Sequence, residues 1–487
     1  MKNVPIHIFV KRLAKTFPLG FQILLYIIVT IIFIENGIVW GVFSFFLAIV
    51  FCYFYKINIW LLFIFLILSA FQFQEKINNK TIISSFYNKE LLIEGWVISY
   101  PNIKDSIKVV SKINIERVDS FVIGNGIHLM LESGLQKPGF NIFDKILCHG
   151  VLQEEGDFEK EYFKSENLYG RIVCEEVEII DIDSNPSPIK AIVDYKTNLV
   201  AITKANLNQP YSDLLLGMVF GDDVQMSSHL YDDIKNSGTA HIIAASGYNI
   251  NLIVSLAFIF NKYLNRTKLV ILSDLLLILY LLMVGLDNIP AKRAIIMQIY
   301  LTTAWIFGKK ANIYYSLSIC LLLLFLENIY VYKSLSFLLT FIATIGIILF
   351  FKPLRNLINK IIKDIWLCEA IAISTVSTIA TIPILSIFFG KISVISVFSN
   401  ILVAPLIPII FYSGFGFLLL ISIGIQSLFL NFIIYCMLEI FIKIIDLLGG
   451  LNFSTLKFNT DIYIILLPIG VILIFWFINL FKNKYYG

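Results

Sequence analysis

Long apolar blocks alternate with short polar ones over most of this chain, and one stretch near the N-terminus breaks the rhythm. Three apolar blocks, at residues 19–34, 39–55 and 57–73, follow one another closely. A second series starts at His241 and gives blocks at 241–260, 269–286, 289–307, 313–330, 335–351, 366–389, 409–425, 428–448 and 462–480. A hydrocarbon core of roughly 30 Å takes about 20 apolar residues of α-helix, so the pattern predicts about 12 crossings. Between the two series, residues 74–198 carry frequent charges and only short apolar runs.

Within that stretch, alternation of apolar and polar positions predicts strands at 91–99, 108–115, 127–132, 144–153 and 172–182. Turn signals separate them: Gly124-Asn125-Gly126, Pro138-Gly139 and Glu155-Gly156-Asp157. Short strands with a longer interruption before the last suit a small β-barrel of the OB type. Asn185 to Pro188 ends this domain, and 189–216 reads as one amphipathic helix. The expected fold is a polytopic α-helical membrane protein with an inserted small OB-like barrel. Its parts are 1–73, three N-terminal membrane helices; 74–198, the β domain; and 199–487, a transmembrane channel domain.

Composition agrees: 58% of residues are hydrophobic and 15% charged, against about a quarter charged in a soluble domain. Charge orients the helices. Lys2, Lys11, Arg12 and Lys15 precede the first block and hold the N-terminus in the cytoplasm, so three crossings deliver residues 74–198 to the outer side. No small-residue cleavage site follows the first block, which reads as a retained span rather than a signal peptide. Later basic residues fall in alternate loops, from Lys262, Arg266 and Lys268 to Lys482 and Lys484. Trp40, Trp366 and Trp476 sit near block ends, as interfacial aromatics do. The implied location is the cytoplasmic (inner) membrane.

Of six cysteines, Cys52, Cys320, Cys368 and Cys436 lie in apolar blocks, where cysteine serves as a small core residue. Cys148 and Cys174 are the two in the β domain, on neighbouring predicted strands and in an oxidising compartment. A disulfide between them and two separate buried thiols both fit the sequence. No CxxC or HExxH spacing occurs.

Two segments are too polar to face lipid. One is 393–408, with Ser396, Ser399, Asn400, Pro405 and Pro408, expected as a re-entrant or broken helix because irregular backbone needs protein or a watery cavity around it. The other is 214–254. There Asp222 and Asp223 follow Gly221, a short helix capped by Ser227 or Ser228 runs to Ser237, and His241 opens the next span with Ser246, Gly247, Asn249 and Asn251 inside it. Each has a plain structural reading as well. The aspartates suit a solvated turn, His241 an interfacial hydrogen bond, and the small residues close helix packing. Lys292 and Arg293 either line a path or snorkel to headgroups.

The residues Gly221, Asp222, Ser237, Gly238, His241, Ala244, Ser246 and Gly247 form a string that resembles the ComEC-type competence proteins, inner-membrane channels for DNA uptake. Lys292-Arg293-Ala294 with Met297, and Ser393 to Pro405 with Asn400, are similar to further elements of that family. So is the β domain around Phe158, Tyr162 and Tyr169-Gly170-Arg171. Asn249 stands where the family usually has histidine.

The resemblance implies a passive channel for single-stranded DNA during natural transformation. Its translocation path would take in His241, Ser246, Asn249, Asn251, Lys292, Arg293 and Asn400. Implied partners are single-stranded DNA, membrane lipid, a cytoplasmic DNA-translocating ATPase, a periplasmic DNA receptor and a separate nuclease. Many members continue into a metallo-β-lactamase-like nuclease. His7, His128, His149, His229 and His241 form no HxHxDH cluster, so no enzyme, no cofactor and no metal are expected. The β domain is acidic on balance, with Glu154, Glu155, Asp157, Glu159 and Glu161 together, which argues against a strong electrostatic footprint on DNA. Trp96, Tyr100 and Phe121 are stacking candidates, although such aromatics are more often core. On physics alone, a secondary transporter for a small anion fits a broken helix equally, and a non-transporting remnant scaffold is a third reading. No internal repeat between 214–351 and 366–480 favours the transporter.

Overall fold

The computed structural model describes residues 60–451, apart from 105–107, 124–125, 135–139, 157–158, 182–187, 222–227, 244–246 and 426, together with 27, 30, 31 and 454–457. The predicted spans at 19–34, 39–55 and 462–480 therefore lie outside the described residues almost entirely, as do Trp40 and Trp476. The chain divides into two compact units. The first holds 1–190, 254–281 and 285–334, and the second 191–253, 282–284 and 335–487. This division cuts through the expected channel segment 199–487 and does not follow its boundary.

In the first unit, helix α1 (Trp60–Ser84) leads into strands β1 (Glu90–Val97), β2 (Asn102–Lys104), β3 (Lys108–Val118), β4 (Phe121–Val122), β5 (His128–Gly134) and β6 (Lys145–Gln153). A short helix α2 (Lys160–Ser165) precedes β7 (Leu168–Asp181). The five predicted strands thus form, β7 starting earlier than expected, and two short ones join them. The pairings run β1–β6–β7–β5–β3, and β3 also pairs β1. Only β5 and β7 are parallel. Alternation does what the sequence pattern demands: in β6, Ile146, Cys148, Gly150 and Leu152 are buried and their neighbours are not. Ile146, Cys148 and Leu152 join Ile93, Ile113, Ile115 and Ile172 in one apolar core.

At the β6–β7 pairing the register shifts between His149 and Gly150, and Gly150 lies opposite Cys174. A Cβ on Gly150 would come within 2.1 Å of the Val173 carbonyl oxygen, so only glycine fits. Cys148 and Cys174 are joined as a disulfide with Cα atoms 5.8 Å apart.

The rest of the chain is helical: α3 (Pro188–Asn206), α4 (Tyr211–Phe220), α5 (Ser228–Ser237), α6 (Ala240–Ile243), α7 (Gly247–Phe258), α8 (Arg266–Val284), α9 (Ile289–Ile306), α10 (Ile313–Glu327), α11 (Leu335–Ile358) and α12 (Ile365–Phe389). Then come β8 (Lys391–Ser393), α13 (Ser396–Val403), α14 (Leu406–Ser422), α15 (Leu428–Gly449) and β9 (Thr455–Lys457), with β8 and β9 paired antiparallel. The single helix expected at 189–216 is two helices. Pro210 lacks the N–H that a continuous helix would need.

Among the described residues, five helices are long and apolar enough to cross a membrane: 240–262, α8, α11, α12 and α15. The pair α13–α14, bent by 48°, makes a sixth if it is one span. At 1.5 Å per residue, α10 with its 15 residues is about 22 Å long, short of the hydrocarbon core. Exposed side chains on these helices are large and apolar, such as Ile271, Leu275 and Ile278 on α8 and Phe429 and Phe432 on α15. Surfaces of that kind belong against lipid, and this is a multi-pass membrane protein.

Candidate functional site

The site is built in the second unit from α4 onward. Helix α4 is buried along almost its whole length and stops at Gly221, whose left-handed φ of 69° lets its N–H reach the Gly217 carbonyl at 2.8 Å. Asp222, Asp223 and Ser227 lie outside the described residues. Helix α5 then runs from Ser228 to Ser237 and is closed by Gly238, also left-handed with φ 76°. The Ser237 and Thr239 hydroxyls pair at 2.8 Å across this turn, and the Thr239 N–H bonds the Ile234 carbonyl.

Gly238 is the point where two sequence-distant segments meet. A Cβ there would approach Ser396 Cβ to 2.4 Å and the Ser393 side chain to 3.2 Å. Residue type is therefore fixed twice, by the positive φ and by the close approach. The predicted broken segment is realised as β8, α13 and the bent start of α14. Beyond Ser396 the contact continues into α12: Thr378 and Ser396 hydroxyls lie 3.4 Å apart, and Asn400 Nδ2 donates to Ser374 Oγ at 3.3 Å. The result is a polar seam of Ser237, Gly238, Thr239, Ser393, Ser396, Asn400, Thr378 and Ser374 through apolar helices. Asn400 Oδ1 and Ser393 Oγ are buried and have no hydrogen-bond partner among the described residues.

The other predicted site residues are placed differently. Asn249 is buried on α7 and donates from Nδ2 to the Met218 carbonyl at 2.9 Å, which fastens α7 to α4. Asn251 and His241 are exposed, and Ser246 lies outside the described residues. Lys292 and Arg293 belong to the first unit. They sit in the first turns of α9, whose N-cap is Asn288 with Pro290 following. Lys292 pairs with Glu327 at the end of α10, and Arg293 Nη1 contacts Met297 Sδ at 3.7 Å. The structure thus brings the segment that carries Asn400 against the turn before His241, through Ser393 and Ser396.

Sequence reasoning passed over Ser374 and Thr378. Their i, i+4 spacing in an apolar span puts both on one helix face, and that was the available signal. It also passed over a second group. His229 and Asp233 on α5 and Asp446 in the last turn of α15 bring one ligand-type atom each within 4.8 Å of one another. Burial holds the Asp233 carboxyl above the usual aspartate range; His229 opposes that shift and Asp446 adds to it.

Several acidic residues of the β domain are paired with its cations, and Asp287 from outside it joins one pair. Glu166 and Asp287 lie 2.6 and 3.2 Å from Lys112 Nζ, Glu132 and Glu159 3.2 and 2.7 Å from Arg171, and Asp144 3.0 Å from the buried Lys190. Burial disfavours the Lys112 ammonium, yet the two carboxylates outweigh it and hold it above the ordinary lysine range. Trp96 donates from Nε1 to Glu116 at 2.7 Å and lies under Lys145, so its indole is engaged. Phe121 is exposed and packs beside Phe86.

Residues 218–483 match the model of the family described as Competence protein, more than half of the chain. The chain is also 22% identical over 230 residues to ComE operon protein 3 of Bacillus subtilis (strain 168), covering 46% of this chain and 28% of that protein. It therefore aligns with well under half the length of that relative. No solved structure matches. The match encloses the whole seam, from the turn at Gly238 to Asn400, and this chain belongs to the competence protein family, of the ComEC type.

Proposed function

We infer that the chain conducts single-stranded DNA across the cytoplasmic membrane during natural transformation, as a passive conduit and not as an enzyme. The observation that carries this reading is the meeting of the Gly238 turn with Ser393 and Ser396, on the segment that also holds Asn400. Two family-type motifs, some 150 residues apart, pack against each other at Gly238, and the second hydrogen-bonds onward to α12 through Ser396 and Asn400. Polar groups at membrane depth are expensive unless they line a wet path or pair with each other, and here two keep unused bonding capacity.

In this reading residues 74–198 form an OB-type barrel on the outer side, supported by the circuit of pairings through β1, β6, β7, β5 and β3. The N-terminus is cytoplasmic, and about 12 helices span the inner membrane. The partners are single-stranded DNA, a cytoplasmic DNA-translocating ATPase, a periplasmic receptor and a separately encoded nuclease. Because cations of the β domain neutralise part of its acids, Glu132, Glu159 and Glu166 among them, it presents a milder surface to a polyanion than its composition suggests. The test is internalisation of end-labelled DNA in a strain lacking this gene. Loss of uptake, restored by the wild-type gene, is expected; unchanged uptake in the deletion strain would overturn the reading. A cysteine placed at Asn125 reports the orientation, and should react with an impermeant maleimide in intact spheroplasts.

A further inference from the structure

The group His229, Asp233 and Asp446 stands outside the seam and has no role in the reading above. Asp233 is 6% exposed, and its Oδ2 is buried without a hydrogen-bond partner. His229 Nδ1 lies 3.0 Å from that oxygen, at ion-pair distance but with no ring N–H aimed along the line, and its side chain is otherwise exposed. Asp446 comes within hydrogen-bonding reach of Asp233 from the other helix.

Packing forces this proximity. A Cβ on Gly449 would fall 2.5 Å from the Asp233 carbonyl oxygen, so α15 presses against the α5 backbone where no side chain fits. Helix polarity adds to the problem. Asp446 is in the last turn of α15, and Asp233 lies toward the C-terminal end of α5. The α15 end carries partial negative charge, the wrong partner for the Asp446 carboxylate. Asp232 stands beside the pair, while Lys443, one turn before Asp446 on α15, is paired with Glu439 at 3.0 Å.

We propose that His229 Nδ1 and the carboxylates of Asp233 and Asp446 form a divalent-cation site that clamps α5 to α15. One imidazole nitrogen and two carboxylates suit a first-row transition ion such as Mn²⁺ or Zn²⁺; Mg²⁺ and Ca²⁺ prefer oxygen alone. Three protein ligands leave positions for water, and the buried Asp233 oxygen gains the positive partner that its surroundings withhold. The clamp has a consequence for the seam, because α5 ends at Gly238, five residues beyond Asp233. Cation binding would hold that turn against Ser393 and Ser396. A second group, Glu90, His149 and Glu175, offers the same ligand types, but all three are exposed and no buried atom calls for a cation there.

The full chain, purified in detergent and stripped with EDTA, is titrated with Mn²⁺ and followed by EPR and thermal unfolding. One saturable Mn²⁺ per chain is expected at this site, with a raised melting temperature. His229→Ala and Asp446→Asn change exposed side chains, and each should weaken binding about tenfold or more and remove the thermal shift. Without metal, His229→Ala should melt as the wild type does, and Asp446→Asn, relieved of one of two opposed carboxylates, as high or higher. His149→Ala should bind as the wild type does. No saturable binding by the wild type, unchanged affinity in His229→Ala and Asp446→Asn, or loss of binding in His149→Ala would each overturn the assignment.

Discussion

The β domain and the helical seam treat buried polar groups in opposite ways. In the β domain, cations and carboxylates are matched: Lys112 with Glu166 and Asp287, Arg171 with Glu132 and Glu159, Lys190 with Asp144. The core beneath them is apolar and stapled by Cys148–Cys174. In the seam the polar groups are neutral hydroxyls and amides; Ser237 and Thr239 pair at 2.8 Å, the contacts to α12 are long at 3.3–3.4 Å, and Asn400 Oδ1 and Ser393 Oγ have no partner among the described residues. Ion pairs fix one structure, and they do so although Arg171 Nε and Glu155 Oε2 lack a hydrogen-bond partner among the described residues. A neutral seam between apolar helices retains capacity for something else, and that difference separates the structural region from the candidate path.

The seam's close approach is the sharpest place to break this contrast. Gly238→Ala adds a methyl 2.4 Å from Ser396 Cβ on a backbone with positive φ. Left-handed strain of about 1–2 kcal/mol and overpacking of about 1–3 kcal/mol together predict a loss of about 2–5 kcal/mol. Membrane abundance on a blot should fall steeply. Gly238→Asn, which tolerates the left-handed region but not the contact, should fare little better.

The staple comes next. Replacing Cys148 and Cys174 by serine opens a loop with 26 residues of separation, and the chain-entropy model assigns such a loop about 3 kcal/mol. Hydrogen exchange should rise in β6 and β7 while amides of the second unit keep their protection. Equal loosening in both units would erase the distinction between them.

A smaller effect tests charge matching. Lys112→Met leaves Glu166 and Asp287 facing each other without their shared cation and should cost about 2 kcal/mol in chemical unfolding, the side chains being partly exposed. Adding Glu166→Gln should recover part of that loss. If the single substitution is neutral, the pairs contribute nothing and the β domain is held by its core alone.

Much of this architecture was legible in the chain, and the exceptions have physical causes. Alternation located all five main strands because each buries one face, as β6 does at Ile146, Cys148, Gly150 and Leu152. Hydrophobic length located α11, α12 and α15 because lipid demands it. The break at Pro210 was legible too, and treating 189–216 as one helix overlooked a residue that cannot donate. The site was harder. Ser237, Gly238, Ser396 and Asn400 were visible as anomalies within apolar sequence, but their mutual contact was not, since no local rule pairs residues so far apart. Asn249, a candidate path residue, also bonds the Met218 carbonyl and so fastens α7 to α4. The amide suits either role, and only the partner decides. Asp233 and Asp446 were unremarkable as single charges, and their significance arises from the approach of two helices at Gly449.

The central claim, that the seam lines a path and does not merely glue helices, is tested most directly by pairing Asn400→Leu with Asn249→Leu. Asn249→Leu deprives the Met218 carbonyl of its donor, so about 1–3 kcal/mol should be lost, with lower abundance and uptake falling in proportion. Asn400→Leu removes a group with one long bond and a spare acceptor, so abundance should hold while labelled DNA uptake per copy drops about tenfold, the 1.4 kcal/mol equivalent of one lost contact to the passing strand. Normal uptake per copy by a fully abundant Asn400→Leu variant would contradict the account.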